Sequence, residues 1–560
     1  MLYPQNNQCR TVQSLNGIWK YSLVSDAYHA ESPLSGADLM AVPASINEIV
    51  TDAIPRDYVG RVAFETDVEA FAANGTQKLL YIGSCGHKFE VYANGQKLGE
   101  SRLGFLPLEL ELPESLLPNL RITIVTDNRL TFQTLPVGRL EEDGKQHIKH
   151  DFANDTGIMR DVMLLTVPRE RIKDAQITTF VEDDPRRIRM ELTGADRAEV
   201  SVLDANGVCV AKKTAAQGAV ELTVEEPNLW EPGNPYLYTA LIETETDRYR
   251  QTFGIRQVKV TDSQFFLNGK PLRLKGFGMH EDHPILGKGN NTAFNIRDFE
   301  LLRWIGANCF RTSHYPYSDE MMELADRYGI LVIDEVPAVG MNWWEDSFTP
   351  DRINEQTADV HREALQRLWE RDKNHPCVIM FSVGNEAGTE EKNARGYFEP
   401  LINYTKQLTG LPVTLAEFTK CEDTTIGDLV DVVSINRYYG WYYDHGDLSV
   451  IHGQMTEELK RWHEKYNKPV LIAEYGADTV EGLHSLPPES FSEEFQVRYL
   501  EEMGKAFDEC PYCIGDLVWN FADFRTKQGI NRVRGNRKGV FTRDRRPKMA
   551  AHFLKKRWSE

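Results

Sequence analysis

From residue 272 to residue 558, short apolar runs of strand character alternate with amphipathic runs of helical period, and this alternation restricts the possible fold more than any other feature of the chain. Strand-like runs cover 272–277, 308–311, 330–334, 378–383, 413–416, 432–435, 470–473 and 516–519. Helix-like runs at 296–305, 319–328, 354–373, 392–408, 457–466 and 491–507 separate them, and 548–558 follows the last. In 354–373, Val360, Ala364, Leu365, Leu368 and Trp369 recur at helical spacing and form one buried stripe. Eight strands alternating with helices over about 300 residues predict a C-terminal (β/α)8 TIM barrel.

Upstream the helical period is nearly absent. Runs at 78–82, 88–92 and 120–126 carry β-like residues, and Asn94-Gly95 marks a hairpin, so 1–168 is expected to form a β-sandwich. Strand-like runs at 188–192, 198–203 and 220–224 make 169–260 the size of one immunoglobulin-like sandwich. The barrel domain is then 261–560, opening on a hairpin at 265–270.

Charge narrows the partners. A net charge of −20 disfavours nucleic acid, and any anionic substrate needs a local basic site. The stretch 525–546 supplies one candidate, with nine Lys and Arg and a single acid, Asp544. No apolar window approaches the ~18 residues of a membrane span, and the first residues lack a signal-peptide pattern, so a cytoplasmic protein with no membrane partner is expected. Eight scattered cysteines fit reduced core thiols, and the lone pair Cys510 and Cys513 fits packing better than zinc. His280, Asp282 and His283 lack a wider ligand set. Neither metal nor cofactor is expected.

Barrel chemistry sits at the C-terminal ends of strands. Glu386 follows the fourth run and Glu474 closes the seventh, about 88 residues later. Polar residues also end the other runs, at 311–314, 334–335, 436–443, and Trp519, Asn520 and Asp523. Two carboxyls across one mouth suit glycoside hydrolysis, one donating a proton and the other attacking or activating water. Mutual repulsion is expected to keep one protonated while the other stays ionised. Asn385, beside Glu386, is placed to bond a sugar hydroxyl.

The segments NCFRTSHYPY (308–317), VIDE (332–335), RDKNHP (371–376), SINRYYGWY (434–442), IAEYGADT (472–479), WNFADF (519–524) and NRKGVFTRDRRPK (536–548) closely resemble β-glucuronidases of glycoside hydrolase family 2, bacterial ones in particular. The resemblance spans essentially the whole chain. It implies a jelly-roll-like domain, an immunoglobulin-like domain and a catalytic barrel, with retaining hydrolysis of β-glucuronides. It assigns acid/base to Glu386 and nucleophile to Glu474, with Tyr438 restraining the nucleophile.

By the same resemblance Asn536 and Lys538 receive the C6 carboxylate of glucuronic acid, with Arg532 and Tyr442 nearby. Asp151 reaches from the first domain to sugar hydroxyls, and His314 and Trp519 contact the ring. A homo-oligomer, often a tetramer, is the family's usual assembly. Arg543, Arg545 and Arg546 are expected in salt bridges or as surface charge, and Asp334 and Glu335 in the barrel's hydrogen-bond network. Within 339–354, shorter than in some gut bacterial relatives, Trp343 and Trp344 either form an aglycone platform or pack. Rival readings are β-galacturonidase, β-galactosidase, and a non-catalytic carbohydrate-binding protein.

Overall fold

The computed structural model describes residues 2–71 and 73–559; Met1 and Glu560, the outer ends of the expected 1–168 and 261–560 domains, lie outside them. Strands Leu274–Gly278, Cys309–Arg311, Leu331–Glu335, Val378–Asn385, Val413–Glu417, Val433–Asn436, Val470–Tyr475 and Cys513–Val518 form a closed barrel in chain order. All pair in parallel, and the first closes on the eighth through Leu274 opposite Gly515. Each of the eight expected runs overlaps one strand. Their side chains are buried on both faces, which is why they read as unbroken apolar runs.

Helices cover most crossovers. Asn354 caps Glu355–Asp372 by accepting from the Gln356 and Thr357 amides, while the Thr357 hydroxyl accepts in return from the Asn354 amide. Such a cap typically contributes about 1 kcal/mol.

One detail departs from the sequence reading. The helix expected at 457–466 begins at Ile451, because tertiary packing of Ile451 and Met455 overrides the helix-weakening Gly453. Between the fifth and sixth strands, where the sequence shows no helix-like run, no helix forms among the described residues. There the Arg437 guanidinium donates to the Glu417, Phe418 and Thr419 carbonyls, at 3.2, 3.0 and 2.8 Å, which satisfies backbone acceptors that a helix would otherwise pair internally.

Upstream lie β-sandwich elements. A six-stranded sheet with the order Asp38–Val42, Gly17–Val24, Arg61–Glu69, Asn119–Asp127, Lys88–Ala93, Gln96–Ser101 faces a four-stranded one, and Trp19, Phe64, Leu80, Ile124 and Val162 fill the space between. Seven further strands run from Asp174 to Phe253. Arg187–Thr193 shows why they form a half-buried sheet, since Ile188, Met190 and Leu192 point inward while Arg189 and Glu191 point out.

Both sandwich regions grip the barrel. Arg160 donates to the Phe105 and Pro316 carbonyls and pairs with Glu281 at 2.9 Å, while Phe105 stacks on Tyr315 with centroids 4.6 Å apart. On the opposite side, Asn374 accepts from the Ile177 amide and donates to the Ala175 carbonyl, and Arg256 donates to the Pro376 and Val378 carbonyls. The RDKNHP segment thus works as a clamp between sheet and barrel.

Candidate active site

The fourth strand is buried along its whole length and ends at Asn385. Gly384 lets it pass the preceding loop, because a Cβ there would stand 3.0 Å from the Ala338 carbonyl oxygen. Glu386 follows at φ 48°, a left-handed conformation that costs a non-glycine residue roughly 1–2 kcal/mol. Its amide donates to the Ala416 carbonyl at 2.8 Å, tying the strained residue to the fifth strand. Asn436, ending the sixth strand, donates through Nδ2 to Glu386 Oε1 at 2.9 Å.

Burial, and after it the charge of Glu474, push the Glu386 carboxyl up to about 8. The sequence argument put repulsion first. Burial outranks it because the side chain sits on the barrel floor, where the ionised form loses its water.

Glu474 lies within the seventh strand and is 4% exposed. Tyr438 donates its hydroxyl to Oε2 at 2.7 Å, and Arg311 holds Oε1. His314 Nε2 approaches Oε1 at 3.7 Å. The Arg311 guanidinium is shared, since it also donates to both oxygens of Glu335, at 2.8 and 2.7 Å, and to Asn385 Oδ1 at 3.2 Å. Burial favours neutral Glu335, yet Arg311, His314 and Ser382 outweigh it and hold the carboxyl below its usual range. Removing one partner from a buried pair of this kind typically costs ~3–5 kcal/mol, so Arg311 and Glu335 fix the floor on which Glu474 stands. Arg311 and Asn436 were noticed in sequence only as parts of polar clusters. The rule that selected Glu474, a charged or polar residue ending an apolar strand, selects them as well.

A second cluster forms the rim. Lys538 is fully buried, pairs through Nζ with Asp478, donates to the Tyr442 hydroxyl at 2.8 Å, and lies 4.6 Å from the Tyr442 ring centroid. Arg532 donates to both oxygens of Asp151 at 3.0 Å and to the Tyr442 hydroxyl at 2.9 Å. Asn536 donates through Nδ2 to Asp151 at 2.9 Å and accepts the Lys538 amide through Oδ1 at 3.0 Å. Burial opposes ionisation of Asp478, but Lys538 and Arg532 prevail and hold its carboxyl below the ordinary range. Asp151 therefore does reach the mouth from the first sandwich, where its carboxylate is held by the donors of the rim. Asp478 escaped notice in sequence, because only the folded chain brings it to Lys538, 60 residues away.

Other expected residues take clear places. Trp519 stacks on His314 with centroids 5.1 Å apart, and His314 Nδ1 lies 2.8 Å from Glu335. Trp344 is buried and donates to the Gly340 carbonyl, so it packs, whereas Trp343 is half exposed against Phe418. Arg543 pairs with Asp282 and Glu48, Arg545 with Asp298, and Arg546 with Glu481 and Asp544. Asp326, His375 and Cys377 bring one ligand atom each within 4.8 Å. Those groups are spent on each other: Asp326 takes His375 Nδ1 at 2.6 Å and the Cys377 amide at 3.0 Å, and burial keeps the thiol protonated.

Residues 258–560 match the TIM barrel domain of glycosyl hydrolases family 2, and residues 166–256 match a second domain of that family. The chain belongs to glycosyl hydrolase family 2. Within the family it is 40% identical to a Paenibacillus borealis protein named beta-glucuronidase, over 100% of this chain and 99% of that protein. A human beta-glucuronidase is 38% identical, with 100% and 92% covered. Among solved family structures, a beta-glucuronidase of an uncultured Clostridium species superposes with a TM-score of 0.95 at 43% identity, covering 100% of this chain and 99% of that one.

Proposed function

We propose that this family 2 enzyme is a retaining exo-β-D-glucuronidase, releasing glucuronic acid and an alcohol from β-D-glucuronides. The observation that carries the proposal is the pairing of a protonated, half-buried Glu386 with an ionised-partner network around Glu474, beneath a rim of Arg532, Asn536 and Lys538. With its pKa near 8, Glu386 holds a proton at neutral pH and donates it to the glycosidic oxygen as the bond to C1 breaks. Glu474, oriented by Tyr438 and Arg311, attacks C1 from the other face and forms a glycosyl ester. Glu386, now a carboxylate, takes a proton from water, which attacks C1 and frees the sugar. Retention requires the two carboxyls about 5 Å apart.

Selection falls to the rim. The ammonium of Lys538 and the amide of Asn536 prefer a C6 carboxylate to a neutral hydroxymethyl group. An incoming uronate takes over donors that Asp151 holds in the free enzyme, releasing Asp151 to accept from sugar hydroxyls. His314 and Trp519 line the ring. A cytoplasmic site of action fits the eight free cysteines, no helix among the described residues is long and apolar enough to cross a membrane, and assembly as a homo-oligomer belongs to the same proposal. Hydrolysis of p-nitrophenyl β-glycosides that differ only at C4 and C6 tests the assignment. Glucuronide should be cleaved fastest; faster cleavage of galactoside or galacturonide would replace the proposal with that activity.

A further inference from the structure

Asp151 is held in two ways, and only one of them outlasts the arrival of substrate. In the free enzyme its carboxylate is held by Arg532 and Asn536, donors that an incoming uronate takes over. The other hold is on the backbone of its loop, and it comes from Lys288. This lysine stands between the first barrel strand, Leu274–Gly278, and the helix Thr292–Ile305, and is only 6% exposed. Its Nζ donates to the Ala153 carbonyl at 3.2 Å and to Asp155 Oδ2 at 2.9 Å, just past Asp151 in the chain. The same ammonium lies 5.1 Å from the ring centroid of Phe152 and 5.5 Å from that of Tyr315, within cation–π range of both. Phe152 carries the connection inward. Its centroid is 5.3 Å from Tyr315 and 6.2 Å from His314, which in turn contacts Glu335 and approaches Glu474.

The local sequence permits this close approach. Gly287 and Gly289 flank the lysine, and a Cβ would stand 2.7 Å from Ser45 Oγ at the first and 2.8 Å from the Ala44 Cα at the second. The barrel loop therefore lies directly on the sandwich strand Ala44–Ser45, where the Lys288 amide donates to Ser45 Oγ at 3.1 Å. A buried ammonium is costly unless it is paired and hydrogen-bonded, and Lys288 meets that need inside the loop that carries Asp151. We infer that Lys288 is a positioning residue for substrate binding: acting through Ala153, Asp155 and Phe152, it keeps Asp151 at the mouth when the rim donors turn to the uronate. The inference rests on the glucuronidase reading for the ligand that draws those donors away.

A double-variant cycle tests it, run with the glycoside that the wild type cleaves fastest. Lys288→Met keeps the apolar stem, and Asp155 retains Arg525 as a partner, so the substitution leaves no unpaired carboxylate behind. It should raise KM about ten-fold, as loss of one hydrogen bond to a charged group does, with kcat changed less than about two-fold. Phe152→Leu removes the ring face beneath the ammonium, keeps an apolar side chain, and should raise KM about three-fold. In an Asp151→Ala background both substitutions should lose their effect, because the group they position is gone. A further loss in that background as large as in the wild type, a fall in kcat at unchanged KM, or no effect of either substitution would overturn the inference. Failure of the wild type to cleave any glucuronide would instead strike the proposed activity.

Discussion

On the barrel floor Glu474, Glu335 and Arg311 are carried at or beside strand ends and are buried, with Glu386 half-buried beside them, whereas on the rim Asp151, Arg532 and Tyr442 come from loops and stay partly exposed. The floor groups are locked by partners that cannot leave: Arg311 alone joins Glu335, Glu474 and Asn385. The rim groups are held by pairs that a ligand can replace, Asp151 with Arg532 and Asn536. Bond cleavage needs fixed geometry and selection needs exchangeable partners, so under the proposed function the two tasks lie on different parts of the fold. The basic stretch 525–546 splits along the same line. Arg532 and Lys538 face the mouth, while Arg543 and Arg545 are tied to Asp282 and Asp298 away from it. Arginine content alone did not separate them; the position of the paired acids did.

Substitutions on the two sides should separate rate from choice. Glu474→Ala should lower kcat by on the order of 10⁴-fold for every glycoside, as loss of a nucleophile does, and azide should restore turnover through the vacated position. Wild-type rates in that variant would remove Glu474 from the floor's chemistry. Lys538→Ala should cost ~2–5 kcal/mol in kcat/KM for glucuronides with little change on a glucoside. Equal loss on both would make the rim part of the floor.

The pH profile probes the floor without mutation. Because the Glu386 pKa is raised, its proton is present below about 8 and lost above it, so kcat/KM should fall about ten-fold per pH unit beyond that point. Asn436→Ala removes a hydrogen bond that favours the ionised form, and the alkaline limb should move to higher pH. A limb that stays where it was would assign the titration to another group. Asp478→Asn should raise the glucuronide KM by roughly ten-fold through loss of a charged hydrogen bond that aims Lys538. A proportional loss on neutral glycosides would point to a folding role. At the small end, Arg543→Ala should lower the unfolding temperature by about a few degrees and leave the glucuronide-to-galactoside ratio untouched.

Much of the floor was legible in sequence because parallel barrel strands are buried on both faces, so Glu386 and Glu474 stand out where 378–383 and 470–473 end. The eight strands followed from the same contrast. The 5–6 crossover, where the sequence shows no helix-like run, is tied down by Arg437, which reaches three carbonyls from just past the sixth strand, a contact no local pattern announces. Asp478 sits four residues past Glu474 with no periodic signal of its own. Its role depends on a contact with Lys538 that only the closed barrel creates. Trp343 and Trp344, adjacent and identical in sequence, ended with opposite exposures because backbone direction, and not residue type, determined which one packed.

Asp151 belongs to the first sandwich, yet its carboxylate occupies the barrel's rim, and Arg160 and Phe105 secure the sandwich to Pro316, Glu281 and Tyr315 beside it. The enzyme is therefore not a self-sufficient barrel with an accessory fold attached. Under the proposed function, a barrel cut free at residue 261, or grafted beneath a sandwich from elsewhere, would keep its scissors and lose part of its lock, so the two halves have to be inherited and redesigned together.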